Sequence, residues 1–383
     1  INTTINDLTA KVSGKFANDT LQGSLAISNS RIDLEYEKIK YLKNAHVTMN
    51  LPVQMVLSKL LLHLNEGRLS VDDIALEVNG TFESDTLNQK ILTDIHYRLE
   101  SWPIDQLLEL VRPVYQQPGL LASGYLSSHG DIKGEYSKHK MPLVDVVLNI
   151  QQGNLRYPDL DLPMRNIFAD VQWHSDFQDS SSFVRIKNFK AQTDSSAFSL
   201  QGIIQNLFTD IRCQLQAEAD LQLDEFSSLF PPEMKTRLSG DVQTSIKTEF
   251  TVAQLQQQQW HKMKLDATAN TSKLDVVYDS ITLQAHATQL QVNIPNKKAT
   301  DKRRKFAYAK ITTRELFSEQ IEGYSGYLQM ATIDMEISDP GKNYDIPFTK
   351  ILFKIDSLAG KRDSLQIAIA HPTGEFVYNP ARK

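Results

Sequence analysis

Strict alternation of apolar and polar residues constrains this chain more than any other feature. From Ile211 to Leu223 every odd position is apolar and every even position is polar. Because successive side chains of a β-strand point to opposite faces, this segment predicts a strand with one dry and one wet face. The same pattern returns in nine further segments, which begin at residues 8, 74, 95, 144, 167, 242, 281, 351 and 365. We therefore expect a mainly β protein.

The alternation also bears on how the strands are arranged. Strands of a parallel sheet covered by helices on both faces would read as continuous apolar runs, so an antiparallel or meander sheet is favoured. We expect one elongated, repeat-built and strongly curved antiparallel meander sheet with short amphipathic helices. Its apolar side either forms an open groove or is partly closed as a sandwich against another sheet.

Internal similarity supports the expectation of repeats. The segment from Ser30 to Tyr36 matches the segment from Ser272 to Tyr278, and Gly153 to Tyr157 stands between them. The three tyrosines follow one another at a spacing of 121 residues. We divide the chain into approximate units 1–150, 151–271 and 272–383, of which the last is incomplete.

Two short helices interrupt the strand pattern. Ile104, Leu107, Leu108 and Val111 have the spacing of one buried helical stripe, which predicts a helix over 104–112 that Pro113 ends. A shorter helix is predicted near 224–230, before two prolines. Each helix either caps an edge or end of the sheet or acts as a movable lid over its apolar side.

Two local features of the strands are less regular. Residues 53–64 would also stripe a helix, but the repeat places them among strands, and we follow the repeat. Between Ala287 and Leu290 the apolar phase slips by one residue, which predicts a bulge or bend.

Composition excludes several classes of function. The chain has 383 residues, 41% of them hydrophobic, and a net charge of −5, which does not suit nucleic acid because nucleic-acid binding needs a concentrated basic face. No apolar run reaches the roughly 20 residues of a transmembrane helix. The single cysteine, Cys213, forms no intramolecular disulfide and is predicted to be a buried, inert thiol.

A search for chemistry finds no catalytic or cofactor motif. The nine histidines show no metal-ligand spacing, and the chain has no G-x-S-x-G elbow, phosphate loop or dinucleotide loop. We therefore expect no enzyme activity, no metal and no cofactor, although carboxylates from distant strands leave a hydrolase as a minor alternative. Six of the nine residues from Lys297 to Lys305 are basic. They form either a solvated loop or a contact for an acidic partner or anionic headgroups, through Lys302, Arg303, Arg304 and Lys305.

Several short segments resemble those of a known family. They lie between about Leu69 and Phe250 and comprise Asn79 to Thr81, Trp102 to Leu108 and Ser239 to Val242. The order of strands and helices around them resembles the AsmA family of envelope proteins in Gram-negative bacteria. The resemblance implies an N-terminal membrane anchor, a long periplasmic region of β repeats, distant kinship with bridge-like lipid transfer proteins, and a role in outer-membrane biogenesis and lipid homeostasis. Since the chain begins at Ile1 and carries no anchor, we interpret it as the periplasmic part of a protein held in the inner membrane by a missing N-terminal segment.

Pattern and resemblance together predict a non-enzymatic lipid-binding or lipid-transfer module. The lipid, a phospholipid or another envelope lipid, would lie on the apolar side of the sheet. The residues predicted to contact it are Leu76, Val78, Tyr97, Leu99, Val146, Leu148, Ile211, Cys213, Leu215, Leu221, Val242, Ile246 and Leu283. The alternative is an envelope scaffold that binds a protein partner by strand addition at a sheet edge.

Overall fold

The fold is an antiparallel β-meander, as the alternation predicts. The computed structural model describes residues 2–36, 39–72, 74–110, 120–157, 162–178, 181–230, 236–279, 281–298, 306–320, 323–338 and 348–378. Within these residues, 21 strands form a mainly antiparallel meander sheet that is not closed into a barrel, with few short helices. The expectation of a mainly β meander is confirmed.

The chain divides into two compact units. The first comprises Ile1–Asp159, Pro163–Phe189 and Gln205–Thr209, and the second comprises Leu160–Leu162, Lys190–Ile204 and Asp210–Lys383. Strands β10 and β11 contribute residues to both units. This division into two units is based on contacts between residues. The three units of the sequence analysis are based on sequence similarity at a period near 120 residues.

The first ten strands and the first helix follow one another along the chain and are joined by turns. The strands are β1 (Asn2–Ala17), β2 (Thr20–Tyr36), β3 (Ile39–Val56), β4 (Leu61–Val71), β5 (Ile74–Asp85), β6 (Lys90–Pro103), β7 (Leu121–Tyr136), β8 (Leu143–Arg156), β9 (Met164–Ser175) and β10 (Phe183–Gln192). A 3-10 helix, Leu57–Lys59, joins β3 to β4, and helix α1, Ile104–Leu110, follows β6.

The later strands continue the same meander. They are β11 (Ala197–Gln205), β12 (Arg212–Gln222), β13 (Arg237–Thr251), β14 (Lys264–Tyr278), β15 (Ile281–Ile294), β16 (Ala307–Gln320), β17 (Tyr324–Ile337), β18 (Thr349–Lys354), β19 (Ser357–Arg362), β20 (Leu365–Ala370) and β21 (Thr373–Tyr378). A 3-10 helix, Leu223–Leu229, follows β12, and helix α2, Val252–Gln256, and the 3-10 helix Trp260–Lys262 follow β13.

Most local expectations are confirmed at the level of elements. Residues 53–64 lie in β3, a 3-10 turn and β4, so the strand interpretation is correct. Helix α1 begins where predicted, while Val111 and Pro113 lie outside the described residues. The second predicted helix is a 3-10 helix, and Pro231 and Pro232 lie outside the described residues.

The predicted irregularity near Ala287 belongs to a longer line of irregularities across the second unit. Ala287 has a φ of 45°, and the ladders on both sides of β15 skip it. Arg314 of β16 and Met330 of β17 are skipped in the same way, and Met330 has a φ of 46°. We call this line the seam. On every strand that crosses it the apolar phase shifts by one residue, so the apolar residues stay on one side of the sheet.

The phase shift is visible in the strands of the second unit. On β15, apolar residues occupy odd positions before the seam and even positions after it, as at Leu283 and Val292. On β17 they change from even to odd, as at Leu328 and Ile333. A positive φ is rare for residues other than glycine because Cβ then crowds the backbone. The strained residues of the seam therefore allow the apolar side to continue across it.

The molecule contains little conventional core. The chain exposes 24311 Å², whereas a compact monomer of 43.4 kDa exposes roughly 15,000 Å² and two compact bodies of half that mass expose roughly 18,000 Å² together. Six of the twelve buried hydrophobic residues among those described are alanines. In the part of the chain that the structure describes, no Leu, Met, Phe or Trp is buried. Side chains of these four types are thus left at least partly uncovered.

Candidate functional site: the apolar face

Six of the predicted lipid-contacting residues form two neighbouring rows in the first unit. Backbone register places Leu76 of β5 opposite Leu99 of β6, and the row continues through Ser128 of β7 to Leu148 of β8 and Val171 of β9. All members of a row point to the same side of the sheet.

The second row lies two residues further along each strand. It runs through Val78, Tyr97, Gly130, Val146 and Trp173. In each unit, we call the side of the sheet that carries the rows of large apolar residues the apolar face. The opposite side is the wet face.

The predicted residues of the second unit lie on β12, β13 and β15. Leu215 and Leu221 alternate along β12, where Leu221 is opposite Val242 and Ala217 is opposite Ile246 of β13. Leu283 of β15 belongs to a row that begins at Leu238 and passes through Val276. The structure therefore brings these residues onto one face, as the alternation predicts.

Ile211 and the basic segment differ from the other predicted residues. Ile211 is not a strand residue, because β12 begins at Arg212, and the Ile211 carbonyl accepts a hydrogen bond from the Val252 amide at 2.9 Å. That bond is in register with the pair of Arg212 and Thr251, but Val252 begins α2, so the strand ends one residue earlier than the alternation predicts. The basic residues Lys302, Arg303, Arg304 and Lys305 lie outside the described residues.

The remaining basic residues of that segment have structural contacts. Lys297 Nζ lies 2.6 Å from Asp266, and Lys298 Nζ lies 2.8 Å from the hydroxyl of Tyr308, whose side chain is 3% exposed. Burial and the neighbouring Asp334 carboxylate raise the pKa of Tyr308 above its ordinary value. Two of the six basic residues are therefore engaged within the sheet.

Side chains on the apolar face are half-buried rather than packed. Among the predicted contact residues in strands, Cys213 is buried and the others are intermediate. Two sheets packed face to face interdigitate their side chains and close off such leucines and valines. The described residues therefore do not place a second packed layer on this face. The burial predicted for Cys213 is confirmed, and burial raises the pKa of its thiol.

Hydroxyl groups on the apolar face bond mainly to the sheet itself. Tyr97 and Ser128 share a hydrogen bond of 3.0 Å, and Thr288 and Thr313 share one of 2.6 Å. Thr244 donates to the Thr268 carbonyl at 3.1 Å. A bonded hydroxyl does not penalise an apolar guest as an unpaired one does.

Helix α1 lies across strand ends of the first unit. It contacts β7 and β6, and it also contacts β3, although β4 and β5 separate β3 from β6 in the sheet. The α1 end of the sheet also holds buried apolar residues, among them Val47 and Ile74. The contacts of α1 are those of a cap on one end of the strands.

The 3-10 helix Leu223–Leu229 is fastened to its surroundings by hydrogen bonds. Glu225 accepts bonds from the Ser195 amide at 2.6 Å and the Ser196 hydroxyl at 2.7 Å. Ser227 Oγ donates to the Leu238 carbonyl at 2.8 Å and accepts from the Leu238 amide at 3.0 Å. Burial alone would raise the pKa of Glu225, but the hydrogen bonds outweigh it and hold the pKa below its ordinary value. These bonds favour a fixed cap over a movable lid.

The wet face carries the charges of the sheet. Glu249 of β13 lies between Lys264, at 2.9 Å, and Arg212, and these two cations hold the pKa of its carboxyl below the ordinary value. In the first unit Lys133 lies 2.9 Å from Asp94 and lowers its pKa. These charged groups thus lie on the side opposite the apolar face.

The described residues offer no grouping for metal chemistry. Nowhere among them do three His, Cys, Asp or Glu side chains come together as metal ligands. His174 and Asp145 lie 2.6 Å apart on the wet face, but their neighbours across the strands, Asp131 and His96, pair with each other. Among the described residues no helix is long and apolar enough to cross a membrane.

The predicted contact residues include none between β16 and β21, although the alternation was recognised from residues 351 and 365. Two rows run through these strands; one contains Ile311, Ile333 and Phe353, and the other contains Leu316, Leu328 and Leu358. The missing signal is the phase slip recognised only at Ala287. The apolar positions of β17 also shift by one residue between Leu328 and Ile333. Recognising that shift would have assigned both halves of β17 to the same face.

Fold and face together define a class: an antiparallel β-meander protein with an uncovered apolar face. No protein-family model, curated protein or solved structure matches this chain.

Proposed function

We propose that the chain is a non-enzymatic lipid-binding module that holds the acyl chains of a phospholipid or another envelope lipid on its apolar face. The observation that carries this proposal is the combination of rows of large apolar residues with incomplete burial. Leu76, Leu99 and Leu148 follow one another in register and are all only half-buried. A soluble monomer rarely leaves contiguous apolar surface of more than a few hundred Å² without a use for it.

The energetics suit a reversible lipid carrier. Each methylene removed from water contributes about 0.8 kcal/mol, so covering half the surface of a 16-carbon chain contributes on the order of 6 kcal/mol. That is enough to hold a lipid tail and small enough to release it to a bilayer. The paired hydroxyls of Tyr97 and Ser128 add no unsatisfied polar group to this surface.

The setting of this function follows from the family resemblance. We place the chain in the periplasm, as part of a protein anchored in the inner membrane that takes part in lipid transfer and outer-membrane biogenesis. The position of charges such as Glu249 and Lys264 on the wet face supports a carrier whose outer side meets water. The proposed function requires no cofactor, metal or nucleic acid.

Lipid analysis of the purified protein tests the proposal. Protein purified from a Gram-negative envelope is extracted with organic solvent, and bound phospholipid is measured by mass spectrometry. Leu215→Glu and Ile246→Glu each place a carboxylate on the apolar face and are expected to lower bound lipid at least fivefold. Gln216→Glu is the matched control, because Gln216 neighbours Leu215 but belongs to the wet face. Absence of lipid from the wild type, or equal lipid in Leu215→Glu and Gln216→Glu, would contradict the proposal.

A scaffold that binds a protein partner by strand addition is the second candidate. It is supported by β1, a 16-residue strand that pairs only with β2 among the described strands. Against it, Lys11 and Lys15 lie on this edge strand and Asp7 has a φ of 53°, and both lysines and irregularities discourage edge pairing. Crosslinking that traps one protein in stoichiometric yield, with no lipid bound, would favour the scaffold.

A further inference from the structure

One end of the first unit carries a line of exposed apolar side chains at its turns. In an antiparallel meander, the turns β1–β2, β3–β4, β5–β6, β7–β8 and β9–β10 all lie at the same end of the strands. We call these five turns the turn row. Its exposed large apolar residues are Phe16, Leu57, Leu60, Leu87, Met141 and Phe177.

The first three turns of this row are linked by hydrogen bonds. The Leu57 amide donates to the Asp19 carbonyl at 3.0 Å, which joins the first turn to the second. The Ser84 amide donates to the Leu60 carbonyl at 3.2 Å, which ties the end of β5 to the second turn. Hydrogen bonds therefore join the first three turns of the row into one border of the sheet.

Leu87 of the turn row is too exposed for packing to explain it. Leu87 is 94% exposed in a turn where Asn88 supplies the hydrogen bonds to Asp85. Turns of this kind ordinarily carry polar residues, glycine or proline. Phe177 is also exposed, and its ring stacks on the exposed ring of Phe208 at 6.2 Å.

The turn row carries charges of both signs, and among the described residues some of its lysines are not paired with a carboxylate. Asp19 accepts a bond from the Ser58 amide at 3.1 Å, and Asp176 accepts one from the Gln178 amide at 2.9 Å, so these carboxylates serve their own turns. Lys59, Lys138 and Lys140 are exposed, and none has a carboxylate partner among the described residues. They remain available to an anionic surface.

The apolar rows of the sheet run out to this border. Ile91 at the start of β6 is opposite Tyr136 at the end of β7, and both are exposed beside the turn row. Ile95 and Ile132 continue the same face inward along these two strands. An apolar path therefore leads from the turn row to the apolar face.

We propose that the turn row is a membrane-contact surface that rests on a bilayer containing anionic phospholipid, and this inference rests on the proposed lipid-binding function. Neighbouring turns are two strands apart, roughly 10 Å, so apolar side chains recur along a line instead of forming one compact patch. A protein hot spot needs a compact, fully desolvated cluster. A bilayer offers acyl chains at every point along a line, and its headgroups pair with interspersed lysines.

Vesicle flotation tests the contact. The protein is mixed with vesicles of phosphatidylethanolamine and phosphatidylglycerol, or of phosphatidylcholine alone, and floated through a density gradient. We expect wild type to float with the anionic vesicles. The double variant Leu87→Ser/Phe177→Ser should float at least fivefold less. The matched control is Leu121→Ser/Tyr125→Ser, which removes two exposed residues from the opposite end of β7 and should float like wild type.

A second measurement separates this proposal from the function on which it rests. The turn-row double variant should retain the bound phospholipid of wild type, whereas Leu215→Glu should lose bound lipid and still float. Circular dichroism of each variant checks that the strands are intact. The inference is overturned if wild type stays at the bottom of the gradient, or if the turn-row variant floats as well as wild type, which is also the outcome expected of a protein-binding row.

Discussion

The hydroxyl of Tyr97 lies 3.0 Å from Ser128 Oγ, and its ring lies over Gly130. A Cβ at position 130 would stand 2.6 Å from Tyr97 Cε1, so the ring occupies the space that any other residue would fill. Tyrosine thereby contributes the area of an aromatic ring to the apolar face while its polar end is bonded. This pair shows how the face stays apolar although its sequence contains hydroxyl groups.

Replacing Tyr97 with phenylalanine removes only this hydrogen bond. Ser128 is largely buried, so its hydroxyl would lose its partner, and we expect the free energy of unfolding to fall by about 1 kcal/mol. Urea denaturation followed by circular dichroism measures the change. Tyr125→Phe is the matched control, because Tyr125 is exposed on the same strand pair, and its substitution should change the stability by less than about 0.5 kcal/mol.

Gly130 is required by the closeness of its neighbours. A Cβ there would lie 2.3 Å from the Asp145 carbonyl oxygen, so the backbone must shift, and Gly130→Ala is expected to cost about 2 kcal/mol. Gly326→Ala is the control, since nothing lies within 4 Å of its Cβ position. Equal urea midpoints for the two variants would show that the Tyr97 ring and β8 do not confine position 130.

The seam predicts opposite effects of glycine at two neighbouring positions. Met330 has a φ of 46° and is exposed, so Met330→Gly should relieve backbone strain and raise the stability by about 0.5 kcal/mol. Gln329 has ordinary strand geometry opposite Glu315, and Gln329→Gly should lower the stability by about 0.5–1 kcal/mol. Thermal unfolding of both variants compares them directly, and the same sign for both would argue against strain at the seam.

Glu225 makes the stability of the second unit depend on pH. Its folded-state pKa lies below the ordinary value of 4.5, so its contribution is fully present above pH 4.5 and is lost as the pH falls through the folded-state pKa. At pH 7, Glu225→Gln should destabilise the protein by about 1–3 kcal/mol, because the charged hydrogen bonds to Ser195 and Ser196 are weakened.

The difference between wild type and Glu225→Gln should narrow below pH 4.5, as the wild-type carboxylate becomes protonated. Urea midpoints measured from pH 7 to pH 3 follow this change. Glu218→Gln on the wet face of β12 is the control and should remain within about 0.5 kcal/mol of wild type at pH 7. A gap for Glu225→Gln that is constant across this range would contradict the role of its charge.

The sequence was sufficient to predict the strands and the face to which their side chains belong. Period-two alternation survives in a single strand such as β12, because the pleat itself imposes it, and so Leu215 and Leu221 were placed correctly. Strand ends were less predictable. Ile211 fits the alternation but lies outside β12, because the residue opposite it, Val252, begins α2.

Other features depend on partners that no local pattern reveals. The bond of Tyr97 to Ser128 joins residues 31 apart, and the contacts of Glu225 join residues up to 32 apart. The turn row depends on which turns share one end of the meander, which requires the register of the whole first unit. An apolar residue in a polar turn, such as Leu87, was the available local signal.

The seam also bears on how the second unit can deform. Ala287, Arg314 and Met330 are left out of the ladders at one level while the strands on both sides of them remain fully paired. Such a line works as a crease, since bending concentrated there stretches few interstrand bonds. We expect the two flanks of the sheet to flex about this crease. The width available to a bound lipid can then adjust to the thickness of its hydrocarbon tails while the strands stay paired.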